Sequence, residues 1–283
     1  MKKYALLLAL ILLPALSQAF LLPTRTILQK TVENSGSGIY AVEQDVEFPN
    51  GPETLHLKES WLIQSDHTMR VTVSGTKELQ NAIKFQFLYN GGQRSHVIEG
   101  HHKSERIPDD FLERFFNFRS LEAFANNLVR FNIIPSHAIN KKILPKNSED
   151  IKYDAEKWVR YSRVDGVVTF ALGEASNPEQ EKQSPGIWID QDQFVVRKLR
   201  LPSQVEVTAD NYNQFARNLN YPRIRTVRWG SNSAVIHLIS ASARPASAAS
   251  AFQPGSLEVA QKLDGLNNLP AKDAVLEFYS RFR

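Results

Sequence analysis

The chain has 283 residues, 42% of them hydrophobic, with 34 Lys and Arg against 30 Asp and Glu and no cysteine. That length allows one large core or two small ones, and the lack of cysteine excludes disulfides, thiolate nucleophiles and thiolate metal sites. A formal surplus of +4 is small, and Arg223, Arg225 and Arg228, which share one strand-like run, read as a solvated strand face rather than a nucleic-acid interface.

Lys2 and Lys3 precede an apolar run from Ala5 to Leu16, and Ser17-Gln18-Ala19 follows with small residues at the two positions a signal peptidase reads. This is the pattern of a cleavable secretory leader over residues 1–19, too short to span a bilayer. The mature chain is expected to begin near Phe20 in an oxidising compartment, the periplasm. Later apolar runs are all too short for a transmembrane helix, so an integral membrane protein is not expected.

Pro23-Thr24 opens a helix with Ile27, Leu28 and Val32 on one side, ended at Gly36 or Gly38. The period then changes from 3.6 to 2. Tyr40, Val42, Val46 and Phe48 alternate with polar neighbours, and Leu55, Leu57, Trp61 and Ile63 do so after the turn Pro49-Asn50-Gly51-Pro52. Met69, Val71 and Val73 form a third strand, Ile83, Phe85, Phe87 and Tyr89 a fourth, and a fifth runs through Ile98 after Asn90-Gly91-Gly92. Five strands joined by short turns make an antiparallel meander with one apolar face, on which Trp61 and Phe87 are expected to sit.

Pro108-Asp109-Asp110 starts a helical insertion carrying Phe111, Phe115, Leu121, Phe124, Leu128 and Phe131, broken near Asn117-Phe118 and ended by Pro135. Residues 136–156 read as polar loop. Strands resume at Trp158–Arg163 and Val167–Leu172, then Ile187–Ile189, Phe194–Leu201, Val205–Ala209, Arg223–Trp229 and Ala234–Ser242. Eleven or twelve strands in one domain must curl, so a curved antiparallel half-barrel with helices over its concave side is expected, an α+β protein that is mainly β. Residues 244–255, rich in Ala, Ser and Pro, read as a linker, and Leu257–Leu263 and Ala271–Arg283 as short helices.

No nucleophile elbow, no His-Glu-x-x-His and no phosphate-binding glycine loop occurs in the sequence. His96, His101 and His102 near Glu99 are the best metal candidates, but adjacent strand residues point apart, so neither a metal nor a cofactor is expected. Asp190-x-Asp192 reads as a turn rather than a calcium loop. These absences favour a binding protein over an enzyme. The aromatic stock stands out instead: Tyr40, Val42, Trp61, Met69, Val71, Phe85, Phe87 and Tyr89 on the sheet face Phe111 and Phe115 of the insertion. They can form an ordinary packed core, or the wall of an apolar cavity in which each buried methylene of an acyl chain contributes about 0.8 kcal/mol.

The order of leader, helix, five-strand meander, helical insertion and second run of strands resembles the periplasmic lipoprotein carrier LolA and its relatives. The matching stretches are Ile27 to Val46, Glu59-Ser60-Trp61 through Val71, and Gly186 to Leu199 with its Ile189-Asp190 turn. The resemblance implies an unclosed barrel over residues 20–243, lidded by the 108–131 insertion, and a helical extension over 256–283. It also implies a cofactor-free carrier of lipid or lipoprotein acyl chains, serving outer-membrane lipoprotein sorting with inner- or outer-membrane lipoprotein machinery as partners. Two departures mark a divergent relative: Ile63-Gln64-Ser65-Asp66 stands where the family carrier has an arginine, and the stretch after Ala243 is long. A protein-binding half-barrel or envelope scaffold is the alternative. An outer-membrane barrel, suggested by Phe278-x-Ser280-x-Phe282, lacks the aromatic girdles such barrels carry.

Overall fold

The period-two stretches form strands, and all of them join one sheet. A computed structural model describes residues 21–138, 156–177 and 179–283; the leader, the start near Phe20 and most of the 136–156 loop lie outside the described residues. The first meander is β1 (Ile39–Asn50), β2 (Glu53–Ser65), β3 (Thr68–Gly75), β4 (Lys84–Asn90), β5 (Gln93–Ile98) and β6 (His101–Arg106). The second is β7 (Val159–Val164), β8 (Val167–Leu172), β9 (Gly186–Asp190), β10 (Val196–Arg200), β11 (Glu206–Phe215), β12 (Leu219–Trp229) and β13 (Asn232–Arg244). β1 pairs antiparallel with both β2 and β13, so the two meanders fuse into a 13-stranded sheet whose free edges are β6 and β7. The result is an unclosed, curved antiparallel half-barrel.

β6 was not foreseen. Its six residues are exposed on both faces, so it has no apolar alternation to read, and it is charged in the way edge strands commonly are.

Three α-helices are found among the described residues: α1 (Thr24–Glu33), α2 (Leu121–Arg130) and α3 (Lys272–Arg281). A single 3₁₀ turn, Leu112–Phe115, precedes α2, and Ser120 ends the break between them by accepting the Ala123 amide on its hydroxyl at 3.1 Å. Both halves of the insertion press phenylalanines onto the concave face: Phe111, Phe115 and Phe124 are wholly buried there with Trp61 and Phe87.

The tail departs from the expected pattern. The 244–255 stretch, expected to be a linker, packs on the sheet. Ala246–Phe252 is a 3₁₀ segment lying on the convex back of the sheet, where Phe252 and Leu257 are buried with Ile39, Leu88 and Val97. Leu257–Leu263 is extended, not helical. The β4–β5 ladder stops at Leu88 and Ser95, and the tail occupies the gap beyond. The Lys262 amide donates to the Lys84 carbonyl at 2.8 Å, the Lys84 amide returns the bond at 2.9 Å, and the Gln261 amide donates to Val97 at 2.9 Å. The chain thereby passes through the sheet from its back to its concave side, where Leu266 and α3 join the main core. Partner strands waiting on both sides outweigh the local helical pattern, because their backbone groups would otherwise be buried unpaired. It also explains why β4 is buried on both faces.

Close packing at the β3 end gives a direct test. A Cβ on Gly75 would lie 2.3 Å from the Leu79 carbonyl oxygen and 2.7 Å from its Cβ. Gly75→Ala is expected to cost about 1–3 kcal/mol in urea unfolding, the usual cost of overpacking against backbone.

Candidate functional site

Strand parity builds the concave face. Inward positions on β1 read Tyr40, Val42, Gln44, Val46, Phe48, and on β2 Leu55, Leu57, Glu59, Trp61, Ile63. Gln44 and Glu59 stand directly opposite each other in the register, polar in an apolar file. The Gln44 side-chain amide donates to Glu59 Oε2 at 2.7 Å, and the Trp61 indole donates to the same oxygen at 2.8 Å. Arg283, just after α3, donates its Nε to Glu59 Oε1 at 3.0 Å and places Nη1 3.2 Å from Glu113 Oε1. Glu113, in the 3₁₀ turn of the insertion, also receives Arg225 Nη1 at 2.7 Å and the Tyr221 hydroxyl at 3.1 Å.

The two carboxylates and Arg283 are wholly buried, and Arg225 is 2% exposed. This corrects the reading of the 223–228 run as a solvated face. Arg223 and Arg228 are exposed, but Arg225 shares inward parity with Val227 and Trp229 and enters the core. Burial alone would raise the Glu59 carboxyl, but the charge and hydrogen bond of Arg283, with the bonds from Trp61 and Gln44, hold it below its ordinary value. Burial acts first against Arg225 too, and Glu113 keeps it firmly charged. The network ties β1, β2, β12, the insertion and the tail to one another at the centre of the half-barrel.

The ten cavity candidates are all buried in this one cluster. Most touch protein, not open space. Tyr89 lies between Trp61 and Phe111, with ring centroids 6.0 and 4.5 Å away, and Phe115 packs on Phe131 at 5.5 Å. Phe85 and Phe87 differ, since they line a cleft of about 480 Å³ closed on the other side by Leu263, Leu266, Val275 and Leu276 of the tail. Those tail residues were missed because the sequence gives no sign that α3 enters the concave side.

Arg94 stands at one end of the cleft. Its Nη1 donates to the carbonyls of Tyr279 at 2.9 Å and Ser280 at 3.1 Å, and to that of Arg283, so a cation caps the carbonyl end of α3. Its Nε donates to Glu105 at 2.9 Å, and its guanidinium covers the Phe87 ring at 4.8 Å. Burial holds His96, beside it, below the ordinary histidine range, with Glu105 acting in the opposite sense. The cleft walls are mainly apolar, with Arg94, paired to Glu105, at one end and Gln261, Glu277 and Ser280 also in the lining.

The remaining sequence candidates resolve simply. Asp190 Oδ1 accepts the amides of Asp192 and Gln193, both at 2.9 Å, which is the expected turn. His101 and His102 lie on the exposed edge strand β6. Phe278 lies in α3 and Phe282 is its C-cap residue, so the alternation that suggested a membrane barrel is not a strand. No helix of the described residues is long and apolar enough to cross a membrane.

Comparison with family models finds no match, and none of the curated proteins matches in sequence. Solved structures do match. A LolA superfamily protein of Nitrosomonas europaea aligns over 84% of this chain and all of its own, with 11% identity and a TM-score of 0.51. A domain of Vibrio parahaemolyticus described as an outer membrane lipoprotein-sorting protein aligns over 82% of this chain and 97% of its own, with 11% identity and a TM-score of 0.50. At such identity the likeness speaks for fold alone. Together with the single unclosed antiparallel sheet and the helices on its concave side, it gives this chain a LolA-like half-barrel fold.

Proposed function

We propose that the protein is a periplasmic binder and carrier of one hydrophobic ligand, a lipid or lipoprotein acyl chain, held without cofactor or catalysis in the cleft between α3 and the β4–β5 strands. The cleft carries this reading. Its volume falls in the range of about 300–1,000 Å³ usual for small-molecule sites, and aromatic and aliphatic walls with few polar groups suit a methylene chain. Arg94 at one end is already paired with Glu105 and with the carbonyls at the end of α3, so the apolar walls supply the hold on the ligand. Outer-membrane lipoprotein sorting, with envelope lipoprotein machinery as partner, is the finer role that the fold makes natural.

The filled concave face supports a second reading, a protein-binding scaffold. Mass spectrometry of organic extracts from protein purified out of its own periplasm separates the two. A bound acyl lipid supports the carrier; lipid-free protein that also ignores a fluorescent fatty-acyl probe leaves the scaffold. Leu276 is half-buried on the cleft side of α3. Leu276→Trp is expected to fill the cleft and weaken probe binding by more than about tenfold, or 1.4 kcal/mol, with the thermal midpoint little changed.

The insertion expected to be a lid is held by the Glu113 pairs described above. Its 3₁₀ half could leave only by stranding buried charges, which argues that ligand enters beside α3 with the insertion in place.

A further inference from the structure

On the convex back of the three central strands the register gathers two histidines and two carboxylates. Asp45 and Glu47 point outward from β1, between inward-facing Gln44, Val46 and Phe48. Glu47 stands directly opposite His56 on β2, and Asp45 directly opposite His237 on β13. Side chains of opposed residues on one face converge within about 5 Å at Cβ, so Asp45, Glu47 and His56 draw together on β1 and β2, with His237 flanking Glu47 from β13 and the exposed Lys58 opposite Asp45. His56 Nδ1 is 2.7 Å from Asp45 Oδ2 and 3.8 Å from Glu47 Oε1, and His237 Nε2 is 3.5 Å from Glu47 Oε2.

Those separations have a chemical meaning. Ligands at about 2.0–2.1 Å around a tetrahedral ion lie roughly 3.3–3.4 Å from one another; the His56 spacings to Asp45 and Glu47 bracket that value, and ligand atoms of the three residues lie within 4.8 Å of one another. The side chains of His56 and His237 are 41% and 40% exposed, and those of Asp45 and Glu47 22% and 32%, so solvent and ions reach the site freely. The geometry points to a surface binding site for a divalent transition metal, Zn²⁺ or Cu²⁺, with His56, Asp45 and Glu47 as ligands and His237, beside the other Glu47 oxygen, as an outer partner. An imidazole nitrogen with two carboxylates, and water in the open position, suits these borderline ions. Ca²⁺ would need about six to eight oxygens, which two carboxylates cannot supply without heavy hydration. The site is on the face opposite the acyl cleft and is independent of it. A motif search does not find it, because its ligands sit at 45, 47 and 56 with the outer partner at 237, and only strand pairing brings them together.

The test uses the full chain, stripped with chelator and titrated with Zn²⁺ by calorimetry at neutral pH. One ion per chain is expected, with a raised thermal midpoint, and no comparable binding of Ca²⁺. His56→Ala and His237→Ala should each weaken Zn²⁺ by more than about tenfold, since even outer partners of metal sites are commonly worth that much. Their thermal midpoints in chelator should match the parent's, because the residues are surface ones. A His101→Ala/His102→Ala variant controls for adventitious binding on the exposed β6 edge and should keep parent affinity. Equal Zn²⁺ affinity in the parent and the His56→Ala/His237→Ala double variant, or loss of binding in the β6 control alone, would overturn the assignment.

Discussion

Glu113→Ala is expected to lower the unfolding free energy by about 3–5 kcal/mol, because it strands buried positive charge. In the native chain one carboxylate faces Arg225 at 2.7 Å and Arg283 at 3.2 Å, and accepts the Asn117 side-chain amide at 3.0 Å. None of these groups reaches water: Asn117 is 1% exposed and the others are as deeply buried. An exposed pair supplies the control. Asp109, whose side chain is 67% exposed, pairs with Arg130, and Asp109→Ala should change stability by no more than about 1 kcal/mol. Urea midpoints of both variants read the contrast, and a Glu113→Ala protein as stable as the control would mean that the network is hydrated.

The same network gives the acid limb of stability a direction. Glu59 is held below its ordinary carboxyl value of 4.5. As pH falls, the unfolded chain therefore takes up its proton first, and the stabilisation present above about pH 4.5 is lost as pH drops through the lower, folded value. Glu59→Gln should flatten that part of the pH profile while leaving the profile near neutrality parallel to the parent's.

Alternation made most of the sheet legible. Wherever a strand buries one face and wets the other, as in Tyr40 to Phe48 or Met69 to Val73, the sequence states its own register. Legibility failed where that asymmetry fails. β6 is wet on both sides, and residues 257–263 are held edge to edge between β4 and β5, so their side-chain pattern reports little of what binds their backbone. The polar centre was hidden differently. Gln44, Glu59 and Arg225 each occupy an inward position in an otherwise apolar file, and a lone polar residue there looks like noise. Read across strands the signal exists, since Gln44 and Glu59 are register partners, but their third partner is Arg283, more than two hundred residues away in sequence. The cleft was half legible for the same reason: Phe85 and Phe87 follow from parity, whereas the wall formed by Leu263 to Leu276 depends on where the tail crosses the sheet.

The fate of the half-barrel without its tail is the larger test. A chain stopped at Arg244 is expected not to fold cooperatively, and within the full chain Phe278→Ala alone should cost about 3–5 kcal/mol. Phe278 is wholly buried, edge-on to Phe48 at 5.2 Å and to Phe282 at 5.6 Å, and the Arg283 guanidinium lies 4.7 Å above its ring. Beyond Phe278, stopping at Arg244 leaves Glu59 without its cation, Lys84 without its backbone partner, and Leu88 and Val97 bare on the convex side. Any two of these losses approach the total of about 5–15 kcal/mol by which domains are stable. The shortened chain should keep far-ultraviolet strand signal, lose near-ultraviolet signal, bind a hydrophobic dye and melt without a sharp transition. A sharp melt with tighter acyl-probe binding would mean the opposite arrangement, an independent half-barrel over residues 20–243 into which the tail has been fitted as a removable plug. The physical case goes against that arrangement. A removable plug should rest on apolar contacts alone, and this one carries a buried arginine whose departure would leave two carboxylates, Glu59 and Glu113, poorly paired in the core.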